Sequence, residues 1–185
     1  MQRRIHLKVI LISGKAGHGK DTFAGFLKKE MEADGQRVLI THYADLLKYI
    51  CKTFLDWDGK KNESGRRLLQ FVGTDVVRKQ YPDFWVDFII AVLRMFQDRW
   101  DYVLIPDARF PNDVKKIKSQ FDCTHLRVIR YACDSRLTDA QQQHASETAL
   151  DHICPDYTFE NHVDGLRHFR DIVRIYYREY LSRGK

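Results

Sequence analysis

The sequence predicts an α/β fold built on a parallel sheet. Two observations carry that expectation. Short apolar runs alternate with longer amphipathic stretches along the chain, and such alternation is the mark of strands joined by helices. The runs KVILI and YVLI are also continuous rather than alternating, as expected when helices cover both faces of a parallel sheet.

The elements follow in order. Lys8–Ser13 is expected as a strand and Thr22–Ala33 as the helix beyond the glycine-rich loop that follows it. Arg37–Tyr43 is a second strand, entered through the Asp34-Gly35 turn. Ala44 to Arg99 reads as mostly helical, with Leu46, Leu47, Ile50 and Phe54 at three- and four-residue steps. Tyr102–Pro106, Thr124–Tyr131 and a short Tyr157–Glu160 complete five strands. TDAQQQHASETAL reads as a polar helix, and a final helix is expected over Leu166–Leu181. Ligands of such sheets gather beyond the carboxyl ends of the strands.

A length of 185 residues fits one domain with a full core, and no repeat or Pro/Gly/Ser-rich linker divides it. The net charge of +6 suits an anionic partner, either nucleotides or nucleic acid, and equally a solvated basic surface. Cys51, Cys123, Cys133 and Cys154 form no CxxC pair, so reduced thiols in a cytoplasm are the simplest expectation. The apolar run in MQRRIHLKVILIS is too short to span a bilayer and leads into the glycine loop; no membrane partner is expected. Aromatic residues at 12% leave room for a homodimer interface.

The segment GKAGHGKDT, comprising Gly14, Lys15, Ala16, Gly17, His18, Gly19, Lys20, Asp21 and Thr22, reads as a phosphate-binding loop. Its glycines let backbone N–H groups converge on one anion, and the following helix adds its positive dipole end. Lys20 is placed to reach the β- and γ-phosphates of a triphosphate, hence an expectation of ATP binding. The usual motif has Ser or Thr after the lysine as a Mg²⁺ ligand, whereas here Asp21 stands there and Thr22 follows. Asp21 therefore reads as a residue on the Mg²⁺ side, directly or through water, and Thr22 as a phosphate hydroxyl donor. The alternative for Asp21 is an acidic residue favoured at a helix N-terminus.

With GKAGHGKDT, the stretches YADLLK, GRRLLQFVGTDVVR, FWVD, IPDARFPND, HASETALD and DYTFEN occur in order along nearly the whole chain. In these the sequence resembles the bacteriophage-type deoxynucleoside monophosphate kinases of the P-loop nucleotide-kinase superfamily, in which GKD also replaces GK[ST]. The resemblance implies a three-layer P-loop NTPase fold with a five-stranded parallel sheet. It also implies an acceptor-binding helical excursion over about residues 44–100, a lid over about 131–150, ATP·Mg²⁺ as donor and a deoxynucleoside monophosphate as acceptor.

Other residues fit that chemistry. Asp107, after the third strand, can meet Mg²⁺ or its waters, or serve as a turn or cap residue; Arg109 can clamp an acceptor phosphate or form a surface salt bridge. Asp45 can orient the acceptor or cap a helix, and Lys48, in the YADLLK stretch, belongs with the acceptor side. Arg66, Arg67 and Arg78 supply positive charge, while Gln70 and Thr74 can hydrogen-bond a base or sugar. Trp85 can stack on a base or fill the core. Arg130 and Arg136 flank the lid segment, and either can neutralise transition-state charge or stay solvated. His144 and Glu147, three apart, read as lid or structural residues rather than metal ligands. Asn161 can contact the donor base or form a turn.

The expected activity is ATP-dependent phosphorylation of a deoxynucleoside monophosphate to the diphosphate. Two rivals stand beside it: a kinase for another phosphorylated small molecule, and a nucleotide-dependent nucleic-acid-binding protein. The second is disfavoured, because no nucleic-acid module and no dense basic run is present.

Overall fold

A computed structural model describes residues 7–131, 137–162 and 165–182. Five strands, β1 (Lys8–Ser13), β2 (Val38–Ile40), β3 (Tyr102–Ile105), β4 (Asp122–Ile129) and β5 (Tyr157–Glu160), form one sheet in the order β2-β3-β1-β4-β5. Every pairing is parallel, with Val9 opposite Val103 on one side and Cys123 on the other.

The helices are α1 (Lys20–Ala33), α2 (Ala44–Phe54), α3 (Glu63–Gln70), α4 (Phe84–Met95), α5 (Pro111–Gln120), α6 (Asp139–Gln143), α7 (Ala145–Thr148) and α8 (Leu166–Tyr176). α3 runs on into a π-helical stretch, Phe71–Arg78, and α8 into another, Tyr177–Leu181.

Alternation along the strands divides the core into two layers. Val9 and Leu11 of β1, with Val103 and Ile105 of β3, pack against Leu47 of α2, Val86, Ile89 and Leu93 of α4, and Ile117 of α5. Ile10 and Ile12, with Leu104, Leu126 and Val128, face Phe23, Leu27 and Met31 of α1 and Phe169, Val173 and Tyr176 of α8. This accounts for the unbroken apolar runs, since both sides of the sheet are covered.

Besides shifts of one or two residues at the ends of α1, β3 and β4, three features differ from the expectation. The second strand is Val38–Ile40, shorter than Arg37–Tyr43, because the backbone N–H groups of Tyr43 and Ala44 turn to the Asp107 carboxylate and open α2. The polar helix is broken into α6 and α7 at His144, whose ψ of 144° is extended and whose ring accepts the Ser146 N–H. Helix α5 was not anticipated. It begins on Pro111, which lacks the N–H that a first helical residue leaves unpaired, and is fastened by Asp113, which accepts the Phe110 N–H. Among the described residues, no helix is long and apolar enough to cross a membrane.

Candidate active site

The site lies beyond the carboxyl ends of the strands, where β1 leads to Gly14, β2 to His42, β3 to Asp107, β4 to Arg130 and β5 to Asn161. The loop after β1 curls through positive φ at Gly14, Gly17 and Gly19 (136°, 83° and 94°). At Gly14 a side chain is also excluded by space, since a Cβ would lie 2.2 Å from the Val128 carbonyl oxygen of β4. Asn161 donates from Nδ2 to the His18 carbonyl at 3.0 Å, so the end of β5 braces the loop. Burial foremost holds the His18 imidazole below its ordinary pKa.

Lys20, buried in the first turn of α1, donates from Nζ to the Lys15 carbonyl at 2.9 Å. Burial, reinforced by the Arg109 charge, lowers its pKa to about 8. Thr22 follows in the same turn. Lys15 pairs with Asp151 at 3.4 Å.

Asp21 belongs to a chain of charges that runs toward α2. His42 Nε2 lies 2.8 Å from Asp21 Oδ1, His42 Nδ1 lies 3.3 Å from Asp45 Oδ2, and Lys48 Nζ lies 3.0 Å from Asp45 Oδ1. The hydrogen bond between Asp21 and His42 raises the imidazole pKa and depresses that of the carboxyl. Burial opposes ionisation of Asp45, yet its contacts with Lys48 and His42 hold its pKa low. His42 was absent from the sequence reading, although its place at the end of a strand was the available signal.

A cleft of about 930 Å³, including its open mouth, separates the loop from the helical excursion. It brings together Ala16, Lys48, Arg66, Gln70, Thr74, Arg78, Trp85, Asp107 and Arg109, along with Tyr43, Leu47 and Lys61. Asp45 and Arg67 do not line it; Arg67 is exposed and pairs with Glu63 at 3.0 Å. Arg66 Nε donates to the Lys61 carbonyl at 2.9 Å. Trp85 is only 4% exposed and donates its indole N–H to the Gly73 carbonyl at 2.9 Å, so it pins the π-helical stretch that carries Thr74 and Arg78. Arg78 lies 3.0 Å from the buried Asp113 Oδ1 and stacks 4.0 Å over the Phe110 ring. Burial pushes the Asp113 pKa up against the pull of Arg78.

Arg109 donates to the Ser146 carbonyl at 2.8 Å and pairs with Glu147 Oε1. Glu147 Oε2 in turn accepts the Ala16 N–H at 2.9 Å. Sequence spacing suggests a lid or structural role for Glu147, and nothing local signals this bridge across 131 positions. Arg130 directly follows β4, half-buried, with no hydrogen-bond partner for its Nε among the described residues. Arg136 lies outside the described residues.

The carboxylates can be tested as a magnesium site. Each Asp107 oxygen accepts one backbone N–H, from Tyr43 at 2.9 Å and Ala44 at 3.0 Å, which leaves further lone pairs. Asp21 and Asp107 both act on the Lys20 charge, and the Asp21 side chain is 77% exposed. Such a sparse oxygen set fits Mg²⁺, which is held by one or two carboxylates with substrate phosphates and water. Among the described residues, no group of three or more His, Cys, Asp or Glu makes an all-protein cage.

No curated protein matches the sequence. The family model described as deoxynucleotide monophosphate kinase matches residues 34–166, from the turn before β2 to the start of α8. That stretch exceeds half of the 185 residues and contains the cleft-lining arginines, so the chain belongs to the deoxynucleotide monophosphate kinase family.

Proposed function

We propose that this kinase transfers the γ-phosphoryl group of ATP to a deoxynucleoside monophosphate, giving ADP and the deoxynucleoside diphosphate, with Mg²⁺ as cofactor. The observation that carries the reading is the single cleft in which Ala16 of the phosphate loop faces Arg66, Arg78 and Arg109. Phosphoryl transfer asks mainly for positioning and for positive charge around the moving group. The loop amides and Lys20 hold the donor phosphates, and the three arginines hold the acceptor phosphate in line with them. Gln70 and Thr74, from the same cleft wall, contact the base or sugar. Trp85 keeps that wall in place through Gly73. Asp21 and Asp107 would hold Mg²⁺, which when bound neutralises phosphate charge. Arg130, and Arg136 from the lid segment, supply further charge.

The test is incubation with ATP, Mg²⁺ and each deoxynucleoside monophosphate in turn, with diphosphate product read by chromatography. No product from any of them would remove this reading, and a wider panel of phosphorylated acceptors would then locate the true substrate. The cleft is that of a small molecule, and its partners are nucleotides rather than nucleic acid.

A further inference from the structure

Glu147 stands at the boundary between two cavities. The acceptor cleft lies on one side. On the other is an open hollow of about 670 Å³, including its mouth, lined by Gly14, Lys15 and His18 of the phosphate loop. Arg109, Ser146 and Glu147 line both. The Glu147 side chain is 4% exposed, and its two oxygens serve the two sides: Oε2 takes the loop amide of Ala16, and Oε1 takes the Arg109 guanidinium.

The segment that carries Glu147 is held at three points. Arg109 also grips the Ser146 carbonyl. His144 accepts the Ser146 N–H at Nδ1 and faces Asp75 of the π-helical stretch at 3.6 Å. Arg127 of β4 donates to the Leu150 and Ile153 carbonyls at 2.5 and 2.6 Å. The carboxylate is therefore fixed in place rather than swinging on a free loop. Inward-pointing amides of a glycine loop bind anions, and a carboxylate oxygen on the Ala16 N–H occupies a donor that a phosphate oxygen would use.

We infer that Glu147 is a positioning residue that couples the donor and acceptor halves of the site. It holds Arg109 and Ala16 in one frame and competes with a donor phosphate for the Ala16 amide. The inference rests on the phosphotransfer reading above. It has two consequences of opposite sign. Removing the charge relieves competition at the loop, so a nucleoside triphosphate binds more tightly. It also releases Arg109 from its frame, so turnover falls. A side chain that merely supported the fold would weaken both when lost.

The experiment compares wild type with E147Q, whose neutral amide oxygen holds the Ala16 N–H more weakly than a carboxylate does and whose NH2 turns toward Arg109, and with E147D, too short to span both partners. Affinity for a fluorescent ATP analogue is measured without acceptor, and kcat and KM are measured with the best deoxynucleoside monophosphate. E147Q is expected to bind the analogue about threefold or more tighter while kcat drops about tenfold or more. E147D is expected to show the same split, smaller in size, and carries the test should E147Q not fold. A folded variant with unchanged or weaker analogue affinity, or with unchanged turnover, overturns the inference. If wild type phosphorylates no deoxynucleoside monophosphate, the activity reading fails separately, and the affinity arm alone still decides whether Glu147 competes for the loop amide.

Discussion

Asp107 and Tyr43 join the end of β3 to the start of α2: the carboxylate accepts the Tyr43 N–H at 2.9 Å and the neighbouring Ala44 N–H at 3.0 Å. Tyr43 itself adopts helical dihedrals and offers α2 no side-chain cap, so Asp107 supplies that cap from 63 positions away. A carboxylate here serves the helix dipole, and in the proposed reaction it would serve the phosphate site as well.

The dual role separates in two substitutions. D107A is expected to cost about 1–2 kcal/mol, as loss of a helix cap does. D107N retains one acceptor oxygen but sets its NH2 against the second N–H, so it should cost about 1 kcal/mol. Turnover should fall on the order of 100-fold in both, because the carboxylate that would hold Mg²⁺ in the proposed reaction is gone from each. Urea unfolding alongside steady-state kinetics checks this; full activity in D107N would confine Asp107 to capping.

With Lys20 on the donor phosphates as proposed, activity should depend on pH. Its ammonium deprotonates at about 8, and the cation is the form that attracts phosphate, so kcat/KM for ATP should decline as pH rises through about 8. In K20R the guanidinium stays charged, so the decline should disappear even though turnover is lower. Stability moves the other way: the unfolded lysine holds its proton up to 10.5, so folding should gain stability between about 8 and 10.5. A kcat/KM profile flat to pH 9.5 would exclude this role for the Lys20 titration.

Two glycines in neighbouring elements should respond oppositely to alanine. Gly14 combines φ +136 with a Cβ position 2.2 Å from a backbone oxygen, so G14A is expected to lose at least about 2 kcal/mol and nucleotide binding with it. Gly25, inside α1, has nothing within 4 Å of its Cβ position, and G25A should gain about 0.5–1 kcal/mol through helix propensity. Thermal unfolding of the two variants decides it.

Arg78 and Asp113 form an ion pair with side chains 10% and 1% exposed. R78A leaves the Asp113 charge buried and unpaired, which should cost about 3–5 kcal/mol. R78A/D113N should recover part of that loss without restoring the KM for the monophosphate, since Arg78 lines the cleft proposed for the acceptor. Denaturation and kinetics on both variants test the two statements; complete recovery of KM in the double variant would remove Arg78 from acceptor binding.

Most of the architecture was legible because its causes are local. β1 and β5 lie at the expected Lys8–Ser13 and Tyr157–Glu160, and the closing helix covers Leu166–Leu181 as α8 and its π-helical extension. Helix α5 had a local signal that went unread, proline at its first position followed by Asp113. The early end of β2 had none, because it depends on an acid beyond another strand.

The amino-acid sequence alone determined that a glycine-rich loop with Lys20 follows a buried strand and opens a helix, since spacing and periodicity act between neighbours along the chain. Only the tertiary structure decided that Asn161 braces that loop, that His42 links Asp21 to Asp45, and that Glu147 divides its carboxylate between Ala16 and Arg109. These contacts exist because a parallel sheet delivers the ends of all its strands to one edge, and side chains far apart in sequence meet there at hydrogen-bond distance.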